Sequence, residues 1–298
     1  MTIFIDVVLP VLLVFAIGYT VQKWQNASIK SVSIVAIYIA TPALVFQTFY
    51  TAEIDQQYFY MVVFSFILFF ALIALNKIAA KLTGASAEKE SGWILATAFM
   101  NAGNYGAPII LFAYGEEGFA FAVSFMVLQA IMMNLFGVYY AAKGNAGSRY
   151  AIRSVFTMPV TYAVILAMTF QITGLSMPEN LLGTVDILAE AAIPLVMVIL
   201  GMQLATMSFG QLDWGSVSYS VIVRLLVSPV IAFGIVQFMP LEPLLANVLI
   251  ISAATPSAAT IVMYAVQFDN QPRYVSSVTL VSTLLSIVTI TLLLMMLE

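Results

Sequence analysis

Long stretches of apolar residues recur from one end of the chain to the other, and they limit what it can fold into. An apolar run of about eighteen residues or more is typical of a membrane-spanning helix. Of the residues, 62% are hydrophobic and 8% are charged, whereas soluble domains carry about 25% charged residues. The strands of a β-barrel would alternate in segments of about ten residues. The chain is therefore predicted to be an all-α polytopic membrane protein.

The hydropathy pattern predicts ten transmembrane helices joined by short polar loops, and no stretch is long enough for a separate soluble domain. The predicted spans are residues 3–22, 32–50, 58–80, 93–114, 118–142, 153–173, 181–207, 216–239, 244–267 and 273–297.

Basic residues predict the orientation of these spans. When ten spans are threaded through the membrane, nine of the ten Lys and Arg fall in or next to the loops on one side: Lys23, Lys30, Lys77, Lys81, Lys89, Lys143, Arg149, Arg153 and Arg273. By the positive-inside rule that side is cytoplasmic. Both termini are therefore expected on the outer side of the cell membrane.

The prolines indicate an internal repeat. Three pairs are separated by nearly the same number of residues, close to half the chain: Pro10 and Pro159, Pro42 and Pro194, Pro108 and Pro256. Each half, residues 1–142 and 153–298, holds five spans, an odd number, so the second half would enter the membrane the other way up. The sequence predicts two inverted five-helix repeats, an arrangement found in many transporters.

Helix-weakening residues lie in the middle of two predicted spans. Residues 99–115, FMNAGNYGAPIILFAYG, place Gly103, Gly106 and Pro108 in the fourth span, and Pro256 lies in the ninth. Non-helical backbone at membrane depth survives only where protein or water covers it. Two breaks at matching positions therefore predict crossing broken helices and a binding site near the bilayer midplane.

The chemistry of helix ends indicates what such a site holds. Free N–H groups at helix N-termini favour an anion, and free carbonyl groups at C-termini favour a cation or a donor. Asn101 and Asn104 lie beside the first break, where an amide in hydrocarbon is costly unless it is satisfied. The hydroxyls of Thr255 and Thr260 in the ninth span either contact a ligand or bond back to their own helix.

Other polar residues within the spans have two readings each. Arg224 either reaches the cytoplasmic interface with its long side chain, the favoured reading, or serves transport. Asp186 and Glu190, four residues apart, form an interfacial polar face or a proton-titrating site. Gln129 and Gln47 either line the pathway or join helices.

Three segments resemble the auxin efflux carrier family across essentially the whole chain. NAGNYGAPIILFAYGEEGFAF is similar to the family's N-x-G-x-x-G-x-P…Y-G segment. ATPSAATIVMYAVQFDNQPRYVSSVTLVSTLLSIVT is similar to its second crossover and closing helix. AAIPLVMVILGMQL is similar to the P-L-x-x-x-x-x-G-x-x-L pattern. The chain lacks the long central loop of many plant members and resembles the short prokaryotic type.

The resemblance implies a fold shared with bile-acid and sodium/proton carriers. It implies a scaffold of spans 1, 2, 6 and 7, a transport unit of spans 3–5 and 8–10, elevator-like alternating access and a homodimer. The substrate contacts it implies are Asn101, Asn104, Tyr105 and Pro108 in the first break and Thr255, Pro256 and Thr260 in the second. The second break lacks the amide that plant carriers have there, so auxin itself is not the expected substrate.

The expected function is therefore secondary transport of a small organic anion of the carboxylate type. One alternative is a sodium- or proton-coupled cation exchanger, which usually needs a membrane-embedded acid at the crossing. The fourth and ninth spans have none before Glu116 and Asp269. A second alternative is a membrane sensor that does not transport.

Enzymatic activity is not expected, because the chain contains no Cys and no His and shows no acid pair at the midplane. No cofactor is expected, and the coupling ion, proton or sodium, stays open. A net charge of -4 indicates no nucleic-acid partner.

Overall fold

The computed structural model describes residues 4–52, 55–141, 156–206 and 213–297, and these residues contain helices but no β-strand. The helices are α1 (Phe4–Gln25), α2 (Ile29–Thr51), α3 (Gln56–Thr83), α4 (Ala87–Ala98), α5 (Ala102–Ala141), α6 (Pro159–Thr173), α7 (Glu179–Thr206), α8 (Trp214–Val236), α9 (Pro243–Ala254), α10 (Ala259–Gln267) and α11 (Pro272–Leu297). The prediction of an all-α protein is confirmed.

The lengths and surfaces of these helices are those of a multi-pass membrane protein. Among the described residues, seven helices are long and apolar enough to cross a membrane: α1, α2, α3, α5, α7, α8 and α11. Large apolar side chains such as Leu13 and Val230 point outward, 56% and 70% exposed, as expected of surfaces that lipid covers. The predicted repeat limits at residues 142 and 153 lie outside the described residues.

Helix α5 is 40 residues long and comprises two arms. Gly115 between them has φ 65° and ψ -162°, a backbone conformation that glycine adopts without a steric penalty. The first arm begins at Ala102, directly after the break in the predicted fourth span, and the second arm ends at Ala141.

Wider π-helical turns accommodate most of the prolines inside the helices. Of the five π-helical turns in the described residues, four end two residues before a proline: Pro10, Pro42, Pro108 and Pro229. Proline cannot donate to the carbonyl four residues earlier, and its ring clashes with that carbonyl. A wider turn before the proline relieves the clash and lets the helix continue.

Close helix contacts join α1 to α7 and α2 to α6. Helix α1 packs along the second part of α7, where a Cβ atom on Gly18 would lie 2.2 Å from the carbonyl oxygen of Val198. A Cβ atom on Gly201 would lie 2.0 Å from the carbonyl oxygen of Phe15, so only glycine permits this approach. Helix α2 packs on α6, and helices α3–α5 and α8–α11 pack mainly on one another.

Candidate functional site

The two broken helices meet at their breaks. Met100 and Ser257 form an isolated antiparallel β-bridge between residues 99–101, which follow α4, and residues 255–258, which follow α9. The Asn101 N–H donates to the Pro256 carbonyl oxygen at 2.9 Å, and the Ala258 N–H donates to the Phe99 carbonyl oxygen at 3.0 Å. Each break therefore satisfies part of the backbone of the other.

Two further backbone N–H groups at the crossing also have protein partners. The Ser257 N–H donates to Ser282 Oγ on α11 at 3.2 Å, and the Gly106 N–H donates to the Asn101 carbonyl oxygen at 3.0 Å. Thr255 and Ser257 are fully buried. Because protein covers the segment and pairs several of its backbone groups, irregular backbone is tolerable at membrane depth.

The position of the first break corrects one detail of the sequence prediction. Gly103, Gly106 and Pro108 lie in the helical arm that follows the break, whereas the non-helical residues are 99–101. Pro108 is accommodated by the π-helical turn at Ala102–Gly106, which relieves the clash of its ring with the preceding turn, so the helix continues past it. The β-bridge to the other break holds residues 99–101 out of helical geometry. In the second break, Pro256 itself lies in the non-helical segment.

A cavity of about 170 Å³ opens beside the crossing. Five of the residues proposed for the site or pathway line it: Asn101, Gly103, Asn104, Gln129 and Thr260. Its further lining comprises Thr41, Met100, Ala102, Met126, Val127, Ala130, Met133, Asn134, Met158, Val160 and Ala258. No charged side chain is among these lining residues.

Two helix N-termini face this cavity. Ala102, Gly103 and Asn104 begin α5, and Ala258 and Thr260 flank the start of α10. The first N–H groups of a helix have no partner within it and carry a partial positive charge of about half a unit. The cavity therefore has a positive lining made of backbone, which favours an anion.

Asn101 adds a side-chain donor to this lining. The residue is 5% exposed, and its Nδ2 has no hydrogen-bond partner within the protein. It occupies the N-cap position of α5 without capping the helix through its side chain. A buried donor without a partner costs free energy, so Asn101 is a candidate contact for a group that accepts a hydrogen bond.

The other predicted contact residues lie outside the lining of the cavity. The Tyr105 ring is buried and packs on Phe15, with the ring centroids 5.7 Å apart. Thr255 Oγ1 donates back to the Ser252 carbonyl oxygen at 2.7 Å, as short hydroxyls in helices commonly do. Pro256 lies in the backbone of the crossing and Pro108 in the helical arm that follows it, and neither lines the cavity.

The predicted coupling residues of α2 and α7 also lie away from the cavity. Gln47 Nε2 donates to Asp186 Oδ1 at 2.6 Å and thereby joins α2 to α7. Glu190 is exposed. Neither carboxylate is among the residues that line the cavity.

The favoured reading of Arg224 is wrong. Its side chain does not reach the membrane interface but is fully buried, with its guanidinium donating to the carbonyl oxygens of Thr97 and Thr255 at the crossing. The hydropathy of α8 could not show this, because the partners lie far away in the sequence. The π-helical turn Val223–Val227 holds Arg224 within a helix that continues past it.

Some lining residues could not be identified from the sequence. Thr41 and the four methionines of the cavity carry no pattern that separates them from residues of a packed core. Methionine is flexible and fills irregular space.

Comparisons with known proteins agree with the resemblance. The membrane transport protein family model matches residues 3–294. The chain is 29% identical over 296 residues to an uncharacterized transporter of Methanothermobacter thermautotrophicus, which covers 96% of this chain and 95% of the relative. It is 28% identical over 305 residues to an uncharacterized transporter of Methanocaldococcus jannaschii, with 96% of each chain covered.

Proposed function

The chain belongs to the membrane transport protein family, the family of the auxin efflux carriers, and on this basis we propose that it carries a small organic anion across the membrane. The family is one of transporters and not of enzymes. The observation that carries the anion assignment is the cavity at the crossing, where two helix N-termini and the free amide donor of Asn101 meet. A carboxylate matches both kinds of donor.

The cavity argues against the cation-exchanger alternative. An exchanger needs a carboxylate that binds the ion and releases it, and no Asp or Glu is among the described lining residues. The free helix ends at the cavity are positive, and this polarity repels a cation.

The proposed mechanism is elevator-like movement of one helix group past the other. We infer ten crossings in two inverted five-helix repeats: α4 with the first arm of α5 counts as one, the second arm as another, and α9 with α10 as a third. In this scheme α1, α2, α6 and α7 form the scaffold, through which two copies would dimerise. The packing of α1 on α7 and of α2 on α6 supports the scheme. In two related repeats α1 corresponds to α6 and α2 to α7, so a two-fold axis converts one of these helix pairs into the other. Both termini would face outward from the cell membrane.

A thermal-shift screen followed by a flux assay tests the proposal. Detergent-solubilised protein is heated with a panel of aliphatic and aromatic mono- and dicarboxylates, because a ligand at 100 times its Kd stabilises the folded state by about 2.7 kcal/mol. Each compound that raises the melting temperature is then tested for uptake into proteoliposomes, with and without sodium and proton gradients.

The half-buried Asn104 supplies a variant for this screen. Asn104→Ala should abolish the shift while the protein still folds, because the side chain lines the cavity and is not part of the packed core. Binding without flux would favour the sensor alternative. The absence of both binding and flux across the panel would refute the anion assignment.

A further inference from the structure

Arg224 is an isolated buried cation at the centre of the protein. It is fully buried, and no Asp or Glu is among the buried described residues. Its guanidinium donates from Nε to the Thr255 carbonyl oxygen at 3.0 Å and from Nη1 to the Thr97 carbonyl oxygen at 2.7 Å. Nη2 donates to Ser228 Oγ at 2.8 Å and to the Ala253 carbonyl oxygen. All its partners are therefore neutral oxygens, three of them main-chain carbonyls.

These carbonyls belong to the ends of the two broken helices. Thr97 lies in the last turn of α4, and Ala253 and Thr255 lie at the end of α9. The last carbonyls of a helix have no partner within it, and each C-terminus carries a partial charge of about -0.5. Two such ends facing each other amount to roughly one negative charge, which one guanidinium balances.

We propose that Arg224 is a positioning residue: a built-in cation that holds the carbonyl ends of both broken helices and closes the crossing without a bound metal ion. Carbonyl oxygens facing one another at membrane depth are otherwise a setting for a hard cation such as sodium. Here the guanidinium of Arg224 occupies the space between these carbonyl oxygens. The carbonyl ends of the broken helices are therefore held in place without a bound ion, and the positions of the cavity residues do not depend on one.

The shape of the side chain explains why arginine occupies this position. A guanidinium presents five donors in a rigid planar fork and can reach carbonyls of two helices at once, whereas an ammonium is a compact point charge. Ser228, one helical turn after Arg224 on α8, accepts from Nη2 and donates to the Ala253 carbonyl oxygen at 2.9 Å. This second bond fixes the orientation of the fork against α9.

The test replaces the cation and looks for its rescue. Wild type, Arg224→Ala and Arg224→Lys are purified in detergent, and melting temperatures are compared in equal concentrations of sodium chloride and choline chloride. A further sample of each contains low millimolar guanidinium chloride, which is too dilute to denature. Arg273→Ala is the matched control, because it removes the same charge from an exposed position.

Wild type and Arg273→Ala should melt at the same temperature in sodium, choline and dilute guanidinium. Arg224→Ala should melt on the order of 10 °C lower, because its buried carbonyls lose their partner. It should recover part of that loss specifically in guanidinium or sodium, which can enter the vacated space. A residue that only packs would give no ion-specific recovery. Arg224→Lys should fall between the two, since it keeps the charge but not the fork.

Three results would overturn the proposal. They are a sodium-specific stabilisation of wild type, a folded Arg224→Ala protein that ignores both ions, and an Arg224→Lys protein that melts with wild type. The last comparison also decides the matter if Arg224→Ala does not fold. No substrate enters this experiment, so its outcome is independent of whether the transported anion has been assigned correctly.

Discussion

Replacing Asn101 by Ala should separate binding from folding. The Asn101 amide is buried in the cavity lining with its Nδ2 unpartnered, and an unsatisfied buried donor costs about 1–3 kcal/mol. Truncation removes this cost and also removes some packing, so the two effects oppose each other. We expect the free energy of unfolding of the ligand-free protein to stay within about 1 kcal/mol of wild type.

Binding should respond in the opposite way. A hydrogen bond to a charged group contributes about 1.5–3 kcal/mol. Since about 1.4 kcal/mol is a tenfold change, Asn101→Ala should weaken carboxylate binding by about 10- to 150-fold. The affinity is measured by titrating detergent-solubilised protein with the compound identified in the thermal-shift screen.

Asn76→Ala is the matched control. Asn76 is also fully buried, but its Nδ2 donates to the Leu72 carbonyl oxygen and to Thr97 Oγ1, and its Oδ1 accepts from Tyr219 OH. The substitution removes satisfied bonds and should cost about 2–3 kcal/mol, or about 5–10 °C in melting temperature, without changing affinity. If Asn101→Ala loses as much stability as Asn76→Ala, or keeps full affinity, the assignment of Asn101 to the ligand is refuted.

Three further substitutions test other features. Gly201→Ala places a Cβ atom 2.0 Å from a carbonyl oxygen of α1 and should lower the free energy of unfolding by about 1–3 kcal/mol. Gly234→Ala is the control, because a Cβ atom there has no atom within 4 Å and should not lower it. Equal melting temperatures of the two variants would contradict the close packing of α1 on α7. In Gly103→Ala the added Cβ atom meets only a flexible methionine, so the protein should fold normally. The variant should bind the ligand more weakly, because the added methyl group narrows the cavity. Unchanged affinity would place the ligand elsewhere. Burial and two nearby carboxylates raise the pKa of Glu242 above its ordinary 4.5, so its ionised form opposes folding. The melting temperature of the wild type should therefore rise as the pH falls through that pKa. Glu242→Gln should melt at a higher temperature than the wild type at neutral pH, and its melting temperature should depend less on pH in this range.

Hydropathy and helix-weakening residues were sufficient to predict the helical class and the presence of two interrupted spans. The first interruption was misplaced because proline does not by itself decide where a helix stops. A π-helical turn accommodates Pro108, whereas residues 99–101 leave the helix because the other break offers them hydrogen bonds. That partner lies more than 150 residues away in the sequence, beyond the reach of any local pattern.

The role of Arg224 was hidden for a related reason. A lone arginine two turns inside a span looks the same in the sequence whether it reaches the interface or is buried, and the deciding partners are main-chain carbonyls. Main-chain groups leave no residue-type signal. Asn101 and Asn104 could be identified because an amide in an apolar span is costly enough to require a reason.

The crossing separates the two poles of its broken helices, and this separation makes an uncharged cavity suitable for an anion. The amino ends of α5 and α10 open on the cavity, while the carboxyl ends of α4 and α9 face the guanidinium of Arg224. If those carboxyl ends were not neutralised, their negative charge would lie beside the positive ends and cancel much of their attraction. A cation placed among the carbonyls, outside the cavity lining, therefore leaves the amino ends as the dominant field at the ligand. The anion proposed as substrate would then be held by backbone and amide donors, without a basic side chain.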